Sequence, residues 1–378
     1  MSDAAKVLLL FWGKRGGGSI FTYYLAEYLR QESEIDLRVS LRQDNDELRL
    51  FQSAEIPVFT LGLASLRRMV FRPWEVYAAL KRHLRSLHRW QPSVAIVTMN
   101  SPFAWPLVNT LKARGCRIIY VAHDARPHPG DYAPHWQRFT QARLLKLADT
   151  VVTLSQFVAD ELKNEQPNLP IRPVPLDAVY PCRFSERKFP LQPGRLRFLV
   201  MGRLIRYKGF EVLLDAVKRL ENTAGWSLTV AGHGPLQDEI ETYFSKINDV
   251  ELELKWLSDE RMFELMATHD VLVCNYSEAS QSGLIAQALS SGIPVLATRR
   301  GALPEQLGSG PTLLTDGSAI DLATKMRTLI DEPSRLRQLS EAERKLFTEN
   351  KKQNIWVEII RATATKQSID NIADGIEG

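Results

Sequence analysis

The sequence predicts an α/β protein of two doubly wound domains in tandem, facing a central cleft. Three observations carry this. Short apolar runs alternate with amphipathic stretches through the first half. The alternation breaks at about 176–196, where Pro and Gly punctuate a segment with no period. It restarts at Arg197 and continues to about residue 348. A β-then-α rhythm implies parallel strands with helices on both faces. Open parallel sheets take ligands at the carboxyl ends of their strands.

In the first domain, 1–180, strands are expected near 6–12, 36–41, 57–60, 93–98, 117–122 and 150–154. Helices are expected over 19–31, 72–90, 103–114, 134–147 and 155–164, with Ser19, directly after three glycines, as an N-cap. In the second domain, 181–350, strands fall near 197–201, 227–231, 252–255, 271–274, 294–298 and 312–314. Its helices fall over 208–221, 235–246, 258–268, 283–291, 318–331 and 333–348. Residues 351–378 form a C-terminal helix, able to pack back on the first domain, and a flexible tail after about Lys366.

Composition narrows the class. The 378 residues are 44% hydrophobic and 24% charged, an ordinary globular balance long enough for two cores. Cys116, Cys182 and Cys274 stand far apart with no CxxC pair, so neither a zinc site nor a disulfide framework is expected, and free thiols fit a reducing cytosol. The apolar run from Lys6 to Trp12 suits a buried first strand and is too short for a signal peptide or a membrane span. A cytoplasmic location is expected, on or near the cytoplasmic membrane face. Net charge is +4 but uneven: residues 1–180 hold 23 Lys and Arg against 17 Asp and Glu, and residues 181–378 hold 25 against 27. That excess is too modest, and too bare of recognition motifs, for a nucleic-acid partner.

Three segments of the second half carry chemistry. In Gly202-Arg203-Leu-Ile-Arg-Tyr-Lys208-Gly209 a strand ends, two cations follow five residues apart, and a helix begins. Arg203 and Lys208 can reach one diphosphate, with the helix N-terminus adding positive potential. Val230-Ala-Gly232-His-Gly234-Pro repeats strand, glycines, helix, and Gly232 permits close approach of a ligand to the backbone. Between Asn275 and Thr298, a polar loop holding Glu278, Ser280, Gln281 and Ser282 leads to Gly283, which opens a helix closed by Gly292 before Pro294. The amides of Ser282, Gly283 and Leu284 are expected to point at an anion.

Together, in this order, these segments resemble the carboxy-terminal domain of the retaining family 4 glycosyltransferases. The resemblance spans roughly 196–310 and implies two Rossmann-like domains in the GT-B fold. It implies that Arg203 and Lys208 hold the diphosphate of a nucleotide-sugar donor. It also implies two glutamates eight positions apart across the third segment. Here the second position is Gln287 and the one eight earlier is Ala279, with Glu278 displaced by one. The Ala-Ser-Gln-Ser-Gly loop is similar to that of a bacterial polysaccharide subgroup. Gln287 keeps a carbonyl acceptor for the donor ribose but loses the charge of a carboxylate.

The first half supplies further candidates. Gly17 and Gly18, within Gly16-Gly-Gly18, follow the first strand and open a helix, a loop that admits donor or acceptor. His123 closes the strand at 117–122, and the resemblance puts its counterpart beside the donor sugar. Asp124, His128 and Asp131 follow it as candidate acceptor or sugar contacts. Asp44-Asn-Asp46 starts a helix in this reading, so no catalytic metal and no cofactor are expected. Developing charge on the leaving phosphate is met instead by Arg203, Lys208 and the helix amides. Retention of anomeric configuration is implied by the resemblance, with His123 orienting the sugar.

The acceptor is sought in 63–90. There Arg67, Arg68, Arg72, Lys81, Arg82, Arg85 and Arg89 interleave with Phe71, Trp74, Tyr77, Leu80, Leu84, Leu87 and Trp90. A basic amphipathic helix can lie on anionic lipid, which points to a glycan or polyprenyl-diphosphate-linked acceptor; a domain helix with solvated charges explains the pattern equally. Two alternatives stand beside a transferase: a GT-B-shaped nucleotide- or glycan-binding partner that has lost turnover, favoured by Gln287, and another GT-B enzyme such as an epimerase or phosphorylase.

Overall fold

The structure, a computed structural model, describes residues 4–62, 73–101, 104–126, 134–184, 188–308 and 313–374. The chain divides into two compact units, one formed by 1–174 with 354–378 and the other by 175–353.

The first unit is a parallel sheet of β1 (Ala5–Phe11), β2 (Ile35–Arg42), β3 (Val58–Leu61), β4 (Val94–Val97), β5 (Arg117–Ala122), β6 (Thr150–Thr153) and β7 (Ile171–Pro173) in the order β3-β2-β1-β4-β5-β6-β7. Its central strands β1 and β4 read as near-continuous apolar runs because both faces are covered. Val7 to Leu9 and Val94 to Val97 are entirely buried. Its helices are α1 (Gly17–Leu29), α2 (Leu48–Ser53), α3 (Pro73–Trp90), α4 (Ala104–Lys112), α5 (Pro134–Leu147) and α6 (Gln156–Glu165). Leu87 and Trp90 of α3, Leu107 of α4, Leu144 of α5 and Val158 of α6 share one core with Leu8, Leu10 and Tyr120.

The second unit repeats the plan. Strands β8 (Leu196–Met201), β9 (Trp226–Ala231), β10 (Val250–Glu253), β11 (Val271–Cys274), β12 (Val295–Thr298) and β13 (Leu313–Thr315) are all parallel, in the order β10-β9-β8-β11-β12-β13. Helices α7 (Phe210–Lys218), α8 (Gln237–Phe244), α9 (Asp259–Thr268), α10 (Gly283–Ser291), α11 (Leu303–Leu307), α12 (Ala319–Asp331) and α13 (Arg335–Lys352) complete it. Leu213, Phe244 and Met326 pack with Phe198, Leu228 and Val273 on one sheet face. In both sheets the first strand has its successor on one side and a later strand on the other, so the order reverses there; the crevice at such a reversal is where open α/β sheets bind ligands.

Four expectations are corrected. The helix after β1 starts at Gly17 behind Gly16, whose φ of 97° suits glycine, and Ser19 is not its cap. Ser19 is buried, and its hydroxyl donates to Asn45 Oδ1 at 3.2 Å. The stretch at 176–196 is not a free linker at its start. Leu176–Val179 is a buried 3-10 turn, Lys351 Nζ donates to the Tyr180 carbonyl at 2.8 Å, and the Arg183 amide donates to the Ser290 carbonyl at 2.8 Å. The tail is helical to Asp374: α14 (Ile355–Asp374) belongs to the first unit, with Trp356, Val357, Ile359 and Ile360 buried and Trp356 packed at 6.1 Å from Phe21. The helix expected from Asp44-Asn-Asp46 begins only at Leu48, as the six-residue α2, while β7 and α11, of three and five residues, were not expected, being below the length at which periodicity speaks.

Candidate active site

In the second unit the site is built on the carboxyl ends of β8, β9 and β11. Gly202 (φ 104°) ends β8, and Arg203 follows it into solvent. Arg203 makes no hydrogen bond or ion pair among the described residues, whereas its neighbour Arg206 pairs with Glu211 at 3.6 Å. A 3-10 turn over Arg206–Lys208 then folds Lys208 back under the strand. Lys208 is only 8% exposed, and its ammonium donates to the Met201 carbonyl at 2.9 Å. Burial, with the Arg203 charge nearby, pushes Lys208 down to about 8.

Two glycines make this packing possible. A Cβ on Gly232 falls 1.9 Å from the Gly202 carbonyl oxygen, and one on Gly209 falls 2.2 Å from that of Asn275. Gly232 therefore holds the loop of β9 against that of β8; what it touches is backbone, and a ligand is not needed to explain it.

The loop after β11 brings the polar candidates in. Tyr276, buried, has its ring 5.2 Å from the Lys208 ammonium and is hydrogen-bonded to Ser282. Ser280 and Ser282 are buried, and Glu278 and Gln281 are half-buried. Ser282 caps α10, its hydroxyl accepting from the Ile285 amide at 3.3 Å. Its own amide is not free for an anion: it donates to Gln306 Oε1 at 2.7 Å, while Gln306 Nε2 returns a bond to the Ser282 carbonyl at 3.3 Å. Of the three expected amides, those of Gly283 and Leu284 are the two with no hydrogen bond among the described residues. Gln287 is buried, and its side-chain amide has no partner among the described residues. Gln306 and Tyr276 were missed from sequence; the clamp on Ser282 lies 24 residues on, in a five-residue helix.

In the first unit, β1, β4 and β5 end together. Gly17 is exposed, with open space where a Cβ would be. Gly18 is buried, and a Cβ there falls 2.6 Å from Met99 Cε, so its size serves packing. His123 follows β5, edge-on to Phe21 at 5.5 Å, with Nε2 at 2.7 Å from the Thr98 carbonyl. A carbonyl only accepts, so Nε2 carries the proton and Nδ1 is the acceptor of the neutral ring. Burial lowers the pKa of His123, opposed by Asp124, and the ring is neutral near pH 7. Asp124 is half-buried beside it. His128 and Asp131 lie outside the described residues. Asp44 is chelated by Arg42, Asn45 Oδ1 accepts from the Glu47 amide ahead of α2, and no group of three metal-ligating side chains occurs among the described residues.

Two Rossmann-like units with these loops at the reversal of strand order define the GT-B class of protein. Residues 16–177 match the family described as "Glycosyl transferase 4-like domain" and residues 195–332 that described as "Glycosyl transferases group 1". The chain belongs to the GT-B glycosyltransferase family. Curated relatives are distant. The MMP alpha-(1->4)-mannosyltransferase of Mycolicibacterium hassiacum is 26% identical over 226 residues, 57% of this chain and 54% of the relative. The D-inositol 3-phosphate glycosyltransferase of Pseudarthrobacter chlorophenolicus is 26% identical over 263 residues, 65% of this chain and 62% of the relative. The chain thus spans less than two thirds of these relatives. Among solved structures, Anabaena HepE in complex with UDP-glucose is similar with a TM-score of 0.72 and 17% identity over 96% of this chain and 99% of that one. A glycosyltransferase from Rickettsia africae has a TM-score of 0.72 and 14% identity over 95% and 98%.

Proposed function

We propose that the protein transfers a sugar from a nucleotide-diphosphate-sugar to a glycan or lipid-linked acceptor, with retention of anomeric configuration. One observation carries this. Among the described residues, a buried ammonium, an exposed guanidinium with no hydrogen bond or ion pair and two helix amides with no hydrogen bond lie on the loops that follow β8 and β11, at the carboxyl edge of the second sheet. This is a polyanion site in which the cations also meet the charge that develops on a departing diphosphate. Arg203 and Lys208 hold the phosphates, the Gly283 and Leu284 amides face an anionic oxygen, and Gln287 offers an amide to the ribose. No metal takes part in the proposed step, and no cofactor. His123, neutral and fixed through Nε2, orients the sugar, with Gly17 as the backbone approach on the first unit. UDP-sugars are the first donors to test, since a structural neighbour is bound to UDP-glucose.

The acceptor is proposed to be lipid-linked on α3. Leu80, Leu84 and Leu87 pack on the core, so they are not a membrane face. The N-terminal end of α3 differs: Trp74 is 63% and Tyr77 66% exposed, with Lys81 at 6.0 Å over the Tyr77 ring. Exposed aromatics beside Lys81, Arg82 and Arg85 suit an anionic lipid surface. The part of this stretch at 63–72 lies outside the described residues.

Proton NMR of mixtures of the protein, a panel of nucleotide sugars and a polyprenyl-diphosphate sugar tests the activity. Nucleotide release with a product retaining the donor's anomeric configuration is expected. Donor binding without transfer or hydrolysis on any arm favours the second reading, a binding protein impaired by Gln287 in place of the carboxylate.

A further inference from the structure

We infer that the second unit carries a second ligand site, for a small oxyanion, on the sheet face formed by β8, β9 and β10, anchored by Arg197 near the amino end of β8. A cavity of about 570 Å³ opens there, lined by Arg197, Ser227, Thr229, Glu253 and His269 among others. That volume is within the roughly 300–1,000 Å³ of small-molecule pockets. Roughly 13 Å of strand separates the anchor Arg197 from Met201 at the donor edge, and the inference does not rest on the transferase reading.

The composition of that face is unusual for a parallel sheet, whose strands are ordinarily apolar on both sides. Phe198, Leu228 and Val230 point into the core, so by alternation Arg197, Ser227 and Thr229 stand on the opposite face. Next to them, Glu251 and Glu253 of β10 line the same cavity.

The charges there do not close. The Arg197 guanidinium makes no hydrogen bond or ion pair among the described residues, and its Nε is buried from solvent. Glu253 does not serve it. That carboxylate takes Arg261 at 2.8 Å and Lys255 at 3.1 Å, which hold it at about 2. His269 Nδ1 is 2.7 Å from the Leu265 carbonyl and so carries the proton; Nε2 then accepts from the Thr229 hydroxyl at 2.7 Å. Burial first, and the nearby Arg197 charge, lower His269 against the pull of the Leu265 carbonyl, so the imidazole adds no charge at neutral pH. Arg195 adds a second cation, held only at 3.8 Å by Asp249. The Ser227 hydroxyl has no protein partner among the described residues. A guanidinium fork, a second arginine and a hydroxyl donor around one polar cavity are the donor set for a phosphate or carboxylate.

Thermal unfolding of the full chain, at constant ionic strength, is measured against inorganic phosphate and against citrate. A saturable rise in Tm with either is expected, absent in Arg197→Gln and retained in Arg203→Ala; the anion that gives the rise tells a phosphate from a carboxylate ligand. No saturable rise with either, or a rise kept in Arg197→Gln and lost in Arg203→Ala, overturns the proposal. Should Arg197→Gln not fold, modification of Arg197 by phenylglyoxal is followed in the unmutated protein by peptide mass spectrometry. About ten apparent Kd of the stabilising anion should slow it roughly tenfold; an unchanged rate contradicts the site.

Discussion

In the proposed function Lys208 and Arg203 divide the work on a diphosphate, one buried and one in solvent. Lys208 is charged below about 8 and neutral above it. Its unfolded value is the ordinary 10.5, so between those values the unfolded chain binds the extra proton. This residue thus makes stability rise with pH across that window. Donor affinity moves the other way: above pH 8 it should weaken toward tenfold per unit, since binding must restore the proton. Titrating a UDP-sugar at several pH values checks this. Glu343 has the opposite sign. Burial raises it from 4.5 to about 8, with Oε1 accepting from the Val295 amide at 3.1 Å and Oε2 without a partner among the described residues. The folded state binds the extra proton between those values, so stability falls as pH rises from about 4.5 to about 8 and levels off above. Glu343→Gln should match the wild type in Tm near pH 4 and exceed it by a margin that grows up to about pH 8.

Among elements, the glycines separate into those that serve packing and those that serve the site. Gly232→Ala sets a Cβ against the Gly202 carbonyl at a φ of 142°, and should cost about 2–4 kcal/mol in denaturant unfolding. Gly17→Ala, facing open space, should leave stability within about 0.5 kcal/mol while raising KM if a ligand passes over that loop. Gln306→Ala removes both bonds to the Ser282 peptide and should lower stability by about 1–3 kcal/mol, with a weaker donor KM because the start of α10 loosens.

This scale also shows what was legible in the sequence. The strands were, because a strand buried on both faces must be an unbroken apolar run, as at Val94–Val97. The position of the loops bearing Arg203, Lys208 and Gly283 was, because polar residues and glycines after an apolar run mark where a strand gives way to a helix. The availability of the Ser282 amide was not legible, because the claim of Gln306 on it is a tertiary fact. Ser19 failed similarly, for its hydroxyl turns to Asn45, 26 residues away, and Gly16 takes the capping position. Gly18 and Gly232 looked like ligand loops because close backbone approach has one signature whether the visitor is a ligand or the protein itself.

Across the whole molecule, the last helix returns to the first unit after the chain has completed the second. The residues of α14 that make this possible, Trp356, Val357, Ile359 and Ile360, are buried at roughly 1.5–3 kcal/mol per side chain as an upper bound. Truncation after Gln353 should therefore destabilise the first unit by several kcal/mol, seen as a lower first transition in calorimetry. No helix among the described residues is long and apolar enough to cross a membrane. Attachment through Trp74 and Tyr77 is checked by flotation with anionic and neutral vesicles: wild type should float with the anionic ones, and Trp74→Ala/Tyr77→Ala should not.

The proposed grip of Arg203 and Lys208 on a diphosphate is tested most directly by calorimetric titration of UDP-glucose and other nucleotide sugars into the wild type and Arg203→Ala. Measurable binding of at least one donor to the wild type, weakened about tenfold or more by the substitution, is the expected result. Equal affinity in the two proteins would contradict it.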